Sequence, residues 1–107
     1  MVEPFDERIF KMANNLHISY DLKNPGQNYD LVIAGIKKLG SWAKIHYSFW
    51  YVDSPLTAEQ AHGILVKLLD ANDSLYVVDA TNNQAAWNNL SVTASNHIEN
   101  HWYAKAA

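Results

Sequence analysis

The sequence predicts an α+β fold in which strands and helices follow the order β-α-β-β-α-β and a helical tail comes after them. Three observations predict it. Apolar and polar residues alternate along residues 16–22, two later segments carry an apolar stripe at helical spacing, and the aromatic segment between them has no such stripe. Elements in this order form a ferredoxin-like sandwich, an antiparallel sheet with both helices on one face.

The first strand and the first helix have the clearest patterns. Residues 16–22 (LHISYDL) have a period of two, which predicts a strand with one polar face, and the turn-forming run KNPG at 23–26 ends it. Residues 28–39 then predict a helix, with Asn28 as its N-cap and Gly40 as its terminator. The apolar stripe of this helix consists of Tyr29, Val32, Ile33, Ile36 and Leu39.

The central aromatic segment, residues 41–53, is too long for one ordinary strand. We expect two strands, about 42–46 and 48–53, joined either tightly or by a bulge near Tyr47-Ser48. Aromatic side chains occupy both faces of this region. Because the two helices cover only one face of the sheet, the other face is expected to be solvated or paired with a partner. We therefore expect a homodimer through the open face or the edge of the sheet.

A second helix is predicted over residues 57–71, and a short strand over 75–80 follows it. Thr57 and Gln60 have the spacing of a capping box, in which each side chain bonds the backbone N–H of the other residue. In the tail, residues 84–90 are expected to form one or two helical turns. A helix over 91–103 would place Ala94, Ile98 and Trp102 on one face.

The length of 107 residues suits one domain, so two separate cores are not expected. We divide the chain into an N-terminal extension at 1–15, a ferredoxin-like core at 16–80 and a partly helical C-terminal tail at 81–107. Two alternatives stay open for the extension. Either Met12 is the natural start, or residues 5–12 form a helical arm.

Composition narrows the classes of function. Eleven acidic residues face eight basic ones, for a net charge of −3, which disfavours a protein that depends on phosphate contacts unless a local patch outweighs the net charge. The absence of cysteine excludes a disulfide scaffold, a thiolate metal site and a cysteine nucleophile. No apolar run reaches the roughly 18 residues of a membrane span. The acidic N-terminal segment lacks a signal-peptide core, so a cytoplasmic protein is expected.

Asp21, at the end of the first predicted strand, is the first candidate for chemistry. Two symmetry-related copies of this carboxylate would supply oxygen ligands to a hard cation, which activates water and neutralises a phosphate oxygen. The alternative is a solvated residue that starts the following turn. His46 and Ser48 alternate onto one face of their strand. There His46 is either a general base near neutral pH or a hydrogen-bonded structural residue.

Two further groups of residues have both a functional and a structural interpretation. His97 and His101 would share one face of the tail helix, where they either chelate a transition metal or form a surface pair. One set of lysines is suited to gripping phosphates, although two of its members also end a helix, where basic residues are expected. This set is Lys23, Lys37, Lys38 and Lys44.

Three runs of residues carry a family resemblance. The runs HISYDL at 17–22, IHYSFW at 45–50 and DSLYVV at 73–78 together resemble the CRISPR-associated small nuclease family, the subunit that partners the CRISPR integrase. The run SYDLKNPGQNY at 19–29 is similar to the stand-alone branch labelled SinR-like, a label unrelated to the sporulation repressor of that name. The resemblance covers about residues 16–80, and the virulence-associated protein D toxins share the fold.

The resemblance implies a ferredoxin-like fold and a homodimer whose two sheets face each other. It also implies that Asp21 binds Mg²⁺ or Mn²⁺ together with its twin for phosphodiester hydrolysis, with Ser48 of the second motif near it. This chain departs from the family in two respects. His46 stands where the family often has glutamine, and the basic residues that grip duplex DNA are largely absent. Some members of the family act only as scaffolds.

Two functions follow from these observations. The first is a homodimeric, metal-dependent nuclease acting on RNA or DNA, with Asp21 as the metal ligand and Ser48 and His46 as further catalytic residues. The alternative is a non-catalytic dimeric module that binds a protein partner in a mobile-element or defence system. The acidic charge balance and the many aromatic side chains of the strands favour this alternative.

Overall fold

The computed structural model describes residues 14–23 and 29–102. Most of the predicted N-terminal extension, with both alternatives for Met12, lies outside the described residues. Residues 24–28, which hold most of the predicted turn and the expected N-cap of the first helix, are also outside them, as are residues 103–107.

The described part of the chain is a small α+β domain, as the sequence predicts. Its strands are β1 (Asn14–Asp21), β2 (Ser41–His46), β3 (Phe49–Ser54) and β4 (Ser74–Asp79). Its helices are α1 (Tyr29–Lys37), α2 (Ala58–Leu65), which continues as a 3₁₀ turn at Val66–Leu68, and α3 (Val92–Trp102). The strands form one sheet in the order β2-β3-β1-β4, with every neighbouring pair antiparallel. Over the described ranges, no helix is both long enough and apolar enough to cross a membrane.

The first face of the sheet carries the main core, and α1 and α2 pack on it. The apolar side of β1 faces these helices, as its alternation predicts. Removing these side chains from water is the main favourable contribution to folding. The buried members of this core are Leu16, Ile18, Tyr20, Leu22, Val32, Ile36, Leu39, Trp50, Val52, Ala61 and Leu65.

The start of α2 agrees with the sequence, but its end does not. Gln60 N–H donates to Thr57 Oγ1 over 3.1 Å and Thr57 N–H donates to Gln60 Oε1 over 2.9 Å, which confirms the capping box. The predicted end at residue 71 is wrong, because α2 ends at Leu65. The helix tightens into the 3₁₀ turn at Val66–Leu68, and Leu69 then has extended backbone (φ −110°, ψ 159°). Asp73, whose carboxylate accepts the backbone N–H of Asp70 over 2.7 Å, holds the turn that leads into β4.

The second face of the sheet is partly covered by the tail of the chain itself. α3 packs across β2 and β3, and its predicted apolar face is confirmed, because Ala94, Ile98 and Trp102 are buried there. The expectation of a wholly open second face is therefore wrong. The aromatic surface of Tyr51 is buried beneath a helix of the same chain rather than left to water or a partner.

The connection between β4 and α3 is irregular. The helical turns predicted over 84–90 are absent from the structure. Two of its asparagines have left-handed backbone, with φ of 70° at Asn82 and 62° at Asn89, and a right-handed helix does not contain such residues. The segment is instead held by side chains. The indole N–H of Trp87 donates to Ser95 Oγ over 2.9 Å.

One polar pair is buried between β1 and β3. Tyr51 donates its hydroxyl hydrogen to Asn15 Oδ1 over 2.6 Å, and both residues are buried. Burial, together with the nearby charge of Asp53, raises the pKa of Tyr51 far above its ordinary value. The phenol therefore stays a hydrogen-bond donor at neutral pH and fixes the pairing of these two central strands.

Candidate functional site

Asp21 lies at the carboxyl end of the central strand β1 and points to the second face of the sheet. Its side chain is 64% exposed, and Lys23 Nζ lies 2.7 Å from Asp21 Oδ2. This hydrogen bond and the negative charge of Asp21 raise the pKa of Lys23, and the negative charge of Asp73 raises it further. Both partners are solvated, so the pair orients the carboxylate without adding much stability.

The surface around Asp21 is the part of the second face that α3 leaves uncovered. Across β1 and β4, Asp21 lies opposite Ser74, and Ser19 lies opposite Tyr76. Asp21, Ser74 and Tyr76 are exposed, and the Tyr76 side chain is among the most exposed large rings, at 69%. We call Ser19, Asp21, Ser74 and Tyr76 the β1–β4 patch. It combines a carboxylate, two hydroxyls and a ring on a surface free of α3.

Ser48 and His46 lie at the same end of the sheet as Asp21 but do not join it in one cluster. Ser48 is in the tight turn between β2 and β3, where its backbone is left-handed (φ 66°) and its carbonyl accepts the Tyr20 N–H over 3.2 Å. Ser48 lines a cleft on the first face, whereas Asp21 faces the second. His46 is exposed at the end of β2 and lines no part of that cleft.

The cleft beside Ser48 has a volume of about 340 Å³ and opens between α1, the end of β1 and the turn joining β2 to β3. Tyrosine rings dominate its wall, and the ring centroids of Tyr20 and Tyr29 are 6.2 Å apart. Its other lining residues are Asp30, Ile33, Lys44, Tyr47 and Ser48. The mixture of rings with a few polar groups is typical of a ligand site.

A row of lysine and aromatic side chains borders the cleft along β2, the edge strand. Lys37 Nζ lies 4.4 Å from the Trp42 ring centroid, and Lys44 Nζ lies 4.8 Å from the Tyr47 ring centroid. We call these four residues the lysine–aromatic strip. The lysines were candidates from the sequence, but their aromatic partners were missed. The sequence could have indicated one of these partners, because Trp42 and Lys44 are two residues apart and so share one face of β2.

The metal-binding prediction needs more ligands than one described chain supplies. Within residues 14–23 and 29–102, no three His, Asp or Glu side chains are grouped to hold a metal ion. Asp21 is nevertheless a chemically suitable ligand, because Mg²⁺ prefers oxygen donors and is often held by one or two carboxylates plus water. One chain supplies one such carboxylate, and a second copy of the chain would supply another.

The histidine pair of the tail helix is used within the fold. The rings of His97 and His101 are stacked, with centroids 4.0 Å apart and planes 13° apart. His97 Nε2 lies 2.9 Å from Ser41 Oγ, and His101 Nδ1 lies 2.8 Å from the His97 carbonyl oxygen. One nitrogen of each ring is thus already in contact with the protein. The His97 contact joins α3 to β2, and the His101 contact is made to the backbone of α3 itself. Chelation would need these contacts to be exchanged for the metal.

His17 lies on the second face beneath α3, and its pKa predicts a dependence of stability on pH. Its ring centroid is 5.7 Å from that of Phe49, 6.3 Å from Tyr51 and 5.4 Å from Trp102. Burial among these rings lowers the pKa of His17 below 6.5. The unfolded chain therefore binds a proton on His17 at a higher pH than the folded chain does. The free energy of unfolding should fall as the pH falls below about 6.5.

This expectation is tested by urea unfolding of the wild type and His17→Gln between about pH 7.5 and about pH 5. The wild type should lose more stability over this interval than the variant, because glutamine does not titrate. The other histidines are common to both proteins and cancel in the comparison. An equal loss in the two proteins would mean that His17 is not the group responsible.

Comparison with known proteins does not assign the chain to a family. No protein-family model matches the chain, and a search of curated proteins returned no significant relative. The resemblance carried by the motifs around Asp21 and Ser48 therefore stays a prediction. The function has to be argued from the described side chains.

Proposed function

We propose that the protein is a homodimeric, metal-dependent nuclease with a ferredoxin-like fold, in which Asp21 of each copy helps to hold Mg²⁺ or Mn²⁺. One observation carries the proposal, namely the exposed Asp21 carboxylate at the end of a central strand, on the part of the sheet face that α3 leaves uncovered. The ferredoxin-like assignment is supported by the order of elements along the chain and by the strand order β2-β3-β1-β4.

The β1–β4 patch supports a two-fold contact. A two-fold interface brings the same surface of both copies together, so a residue near the axis meets its own counterpart. The Tyr76 ring would supply apolar area to the contact. Two Asp21 carboxylates brought close would repel each other, and a divalent cation between them would offset that repulsion.

The remaining candidate residues have distinct roles in this proposal. A bound divalent metal supplies Lewis acidity towards a phosphate oxygen and lowers the pKa of a bound water. Lys23 holds the Asp21 carboxylate in place in the single chain. Ser48 and His46, near the same end of the sheet, would contact the nucleic acid, and the exposed His46 imidazole is suited to proton transfer near neutral pH.

The second candidate function is a non-catalytic dimeric module that binds a protein partner. The Lys23–Asp21 pair favours it, because Lys23 Nζ at 2.7 Å already occupies Asp21 Oδ2 and partly offsets the negative charge that would attract a metal ion. In this alternative, the β1–β4 patch would still form the dimer, and neither metal nor nucleic acid would be required.

A nuclease assay separates the two candidates. Labelled RNA and DNA, single- and double-stranded, would be incubated with Mg²⁺, Mn²⁺ or EDTA and the wild type, Asp21→Asn or Glu99→Gln. Glu99 is the matched control, an exposed acid on α3. We expect metal-dependent cutting that falls about 100-fold in Asp21→Asn and is retained in Glu99→Gln.

Size-exclusion chromatography and circular dichroism would show that the variants keep the fold and the oligomeric state of the wild type. Equal cutting by the wild type and Asp21→Asn would remove the assigned site. The absence of cutting under every metal condition would leave the dimeric module as the function.

A further inference from the structure

We propose that the edge of the sheet along β2 binds single-stranded nucleic acid, with the lysine–aromatic strip contacting its backbone and bases and the adjoining cleft receiving one base. This inference goes beyond the proposed function, because it assigns a second site, for single-stranded nucleic acid, that does not require the metal ion proposed at Asp21. The strip and the cleft are on the first face of the sheet, whereas Asp21 points to the second.

Positive charge is concentrated at this edge. The chain has only eight basic residues and a net charge of −3, yet two exposed lysines meet here, Lys37 at the end of α1 and Lys44 on β2. Their Nζ atoms lie 5.9 and 6.0 Å from the Trp50 ring centroid. Phosphate groups of a nucleic acid are the complementary ligand. These lysines therefore form a locally positive patch on a chain whose net charge is negative.

The rings of the strip are available for stacking. Tyr47 is 82% exposed, and the exposed Trp42 ring packs edge-on against Trp50 with centroids 5.4 Å apart. Unpaired bases stack on exposed aromatic rings whatever their sequence. Lys44 lies over one face of the Tyr47 ring and Lys37 over one face of the Trp42 ring. A base would stack on the face that the ammonium does not cover, with the ammonium near the adjoining phosphate.

The cleft is suited to a base rather than to a phosphate. Its volume of about 340 Å³ is at the lower end of the range for small-molecule sites. Tyr20 and Tyr29 supply an apolar wall, and Ser48 a hydroxyl. Asp30 and Lys44 both line the cleft, so its lining carries charges of both signs and does not select an anion. The phosphates would follow Lys44 and Lys37 along the strip from the mouth of the cleft.

The need for bases to stack on the exposed rings excludes a duplex as the preferred ligand. In a duplex, the flat faces of the bases are stacked on one another and do not reach protein rings, whereas single strands expose them. The strip lies on an edge strand next to an exposed turn, so a flexible strand reaches it without obstruction from other described strands.

The test is fluorescence anisotropy of the full chain with labelled single-stranded RNA, single-stranded DNA and the corresponding duplexes, in EDTA to prevent metal-dependent cutting. Tyr47→Ala and Lys44→Gln are the test variants, and Lys67→Gln, an exposed lysine of the 3₁₀ turn after α2, is the matched control. We expect single strands to bind more tightly than duplexes. The dissociation constant should rise about tenfold in Tyr47→Ala and stay unchanged in Lys67→Gln.

Salt dependence distinguishes the role of the lysine from that of the ring. Lys44→Gln should weaken binding several-fold and reduce the slope of log K against log salt concentration by about 0.7. Tyr47→Ala should leave that slope unchanged. The RNA and DNA arms identify which single strand is preferred, and a preference for either supports the site.

Three outcomes would overturn the inference: no binding of single strands by the wild type, equal binding by Tyr47→Ala and the wild type, or tighter binding of the duplex. Because binding is measured in EDTA, failure of the proposed nuclease does not alter this result. Conversely, metal-dependent cutting by a protein whose affinity does not depend on Tyr47 and Lys44 would reject this site and leave the nuclease proposal standing.

Discussion

Replacing Trp102 by alanine is expected to lower the free energy of unfolding by about 3 to 5 kcal/mol. Trp102 is 4% exposed, and its ring lies between α3 and the second face of the sheet, with its centroid 5.8 Å from that of Tyr51. Its indole N–H also donates to the Asn83 carbonyl over 2.8 Å. Truncation would leave a cavity beneath α3 and a carbonyl without this donor. Urea unfolding followed by circular dichroism measures the loss.

Two other variants show which interaction of Trp102 matters. Trp102→Phe keeps a ring but loses the indole N–H, so it should fall between the wild type and Trp102→Ala. Val92→Ala, at an exposed position on the same helix, should change stability by less than about 0.5 kcal/mol. If Trp102→Ala unfolded at the same urea concentration as the wild type, α3 would contribute nothing to the stability of the sheet.

Replacing Gly40 by alanine should cost about 3 kcal/mol, at the upper end of the usual cost of overpacking. A Cβ atom at Gly40 would overlap the carbonyl oxygen of Asp53 and lie 3.0 Å from Ser54 Cα. Both are backbone atoms of β3, so no side-chain rotation relieves the overlap. The start of β2 would have to move away from β3, with which it pairs at Ser41 and Asp53.

Gly63→Ala is the matched control, because no side chain and no other element of the described structure beyond its chain neighbours and the backbone of its own helix lies within 4 Å of the position where its Cβ would be. Gly63 is within α2, and alanine there should raise stability by about 0.5 to 1 kcal/mol. The two substitutions are chemically identical and have opposite expected signs. Thermal melts of both variants measure them side by side. A Gly40→Ala protein as stable as the wild type would contradict the close approach of β2 and β3.

The prediction that Gly40 terminates the first helix is wrong. The sequence places a glycine after the first helix, and the usual explanation is a left-handed residue that terminates it. In the structure, α1 ends at Lys37, and the backbone of Gly40 is not left-handed. The glycine is required by a neighbouring strand, and local sequence does not show which backbone will lie beside a residue.

The geometry of the candidate site was likewise only partly predictable from the sequence. The position of Asp21 at the end of a strand follows from alternation and turn chemistry, and the structure places it there. Its ion pair with Lys23, its separation from the cleft that Ser48 lines, and the aromatic partners of the lysines did not follow. These relations depend on which face of the sheet each strand presents and on how neighbouring strands are aligned.

The sequence by itself determined the elements: the hairpin turn at Tyr47-Ser48, the capped start of α2, the apolar side of β1 and the buried face of α3. The turn and the cap arise from contacts between residues close together in the chain, and the periodicity of the sequence indicates which side of β1 and of α3 is apolar. Only the tertiary structure decided that α3 covers part of the second face while the β1–β4 patch stays exposed. The reason is physical: an apolar surface is buried by whatever reaches it at least entropic cost, and here that was the tail of the same chain.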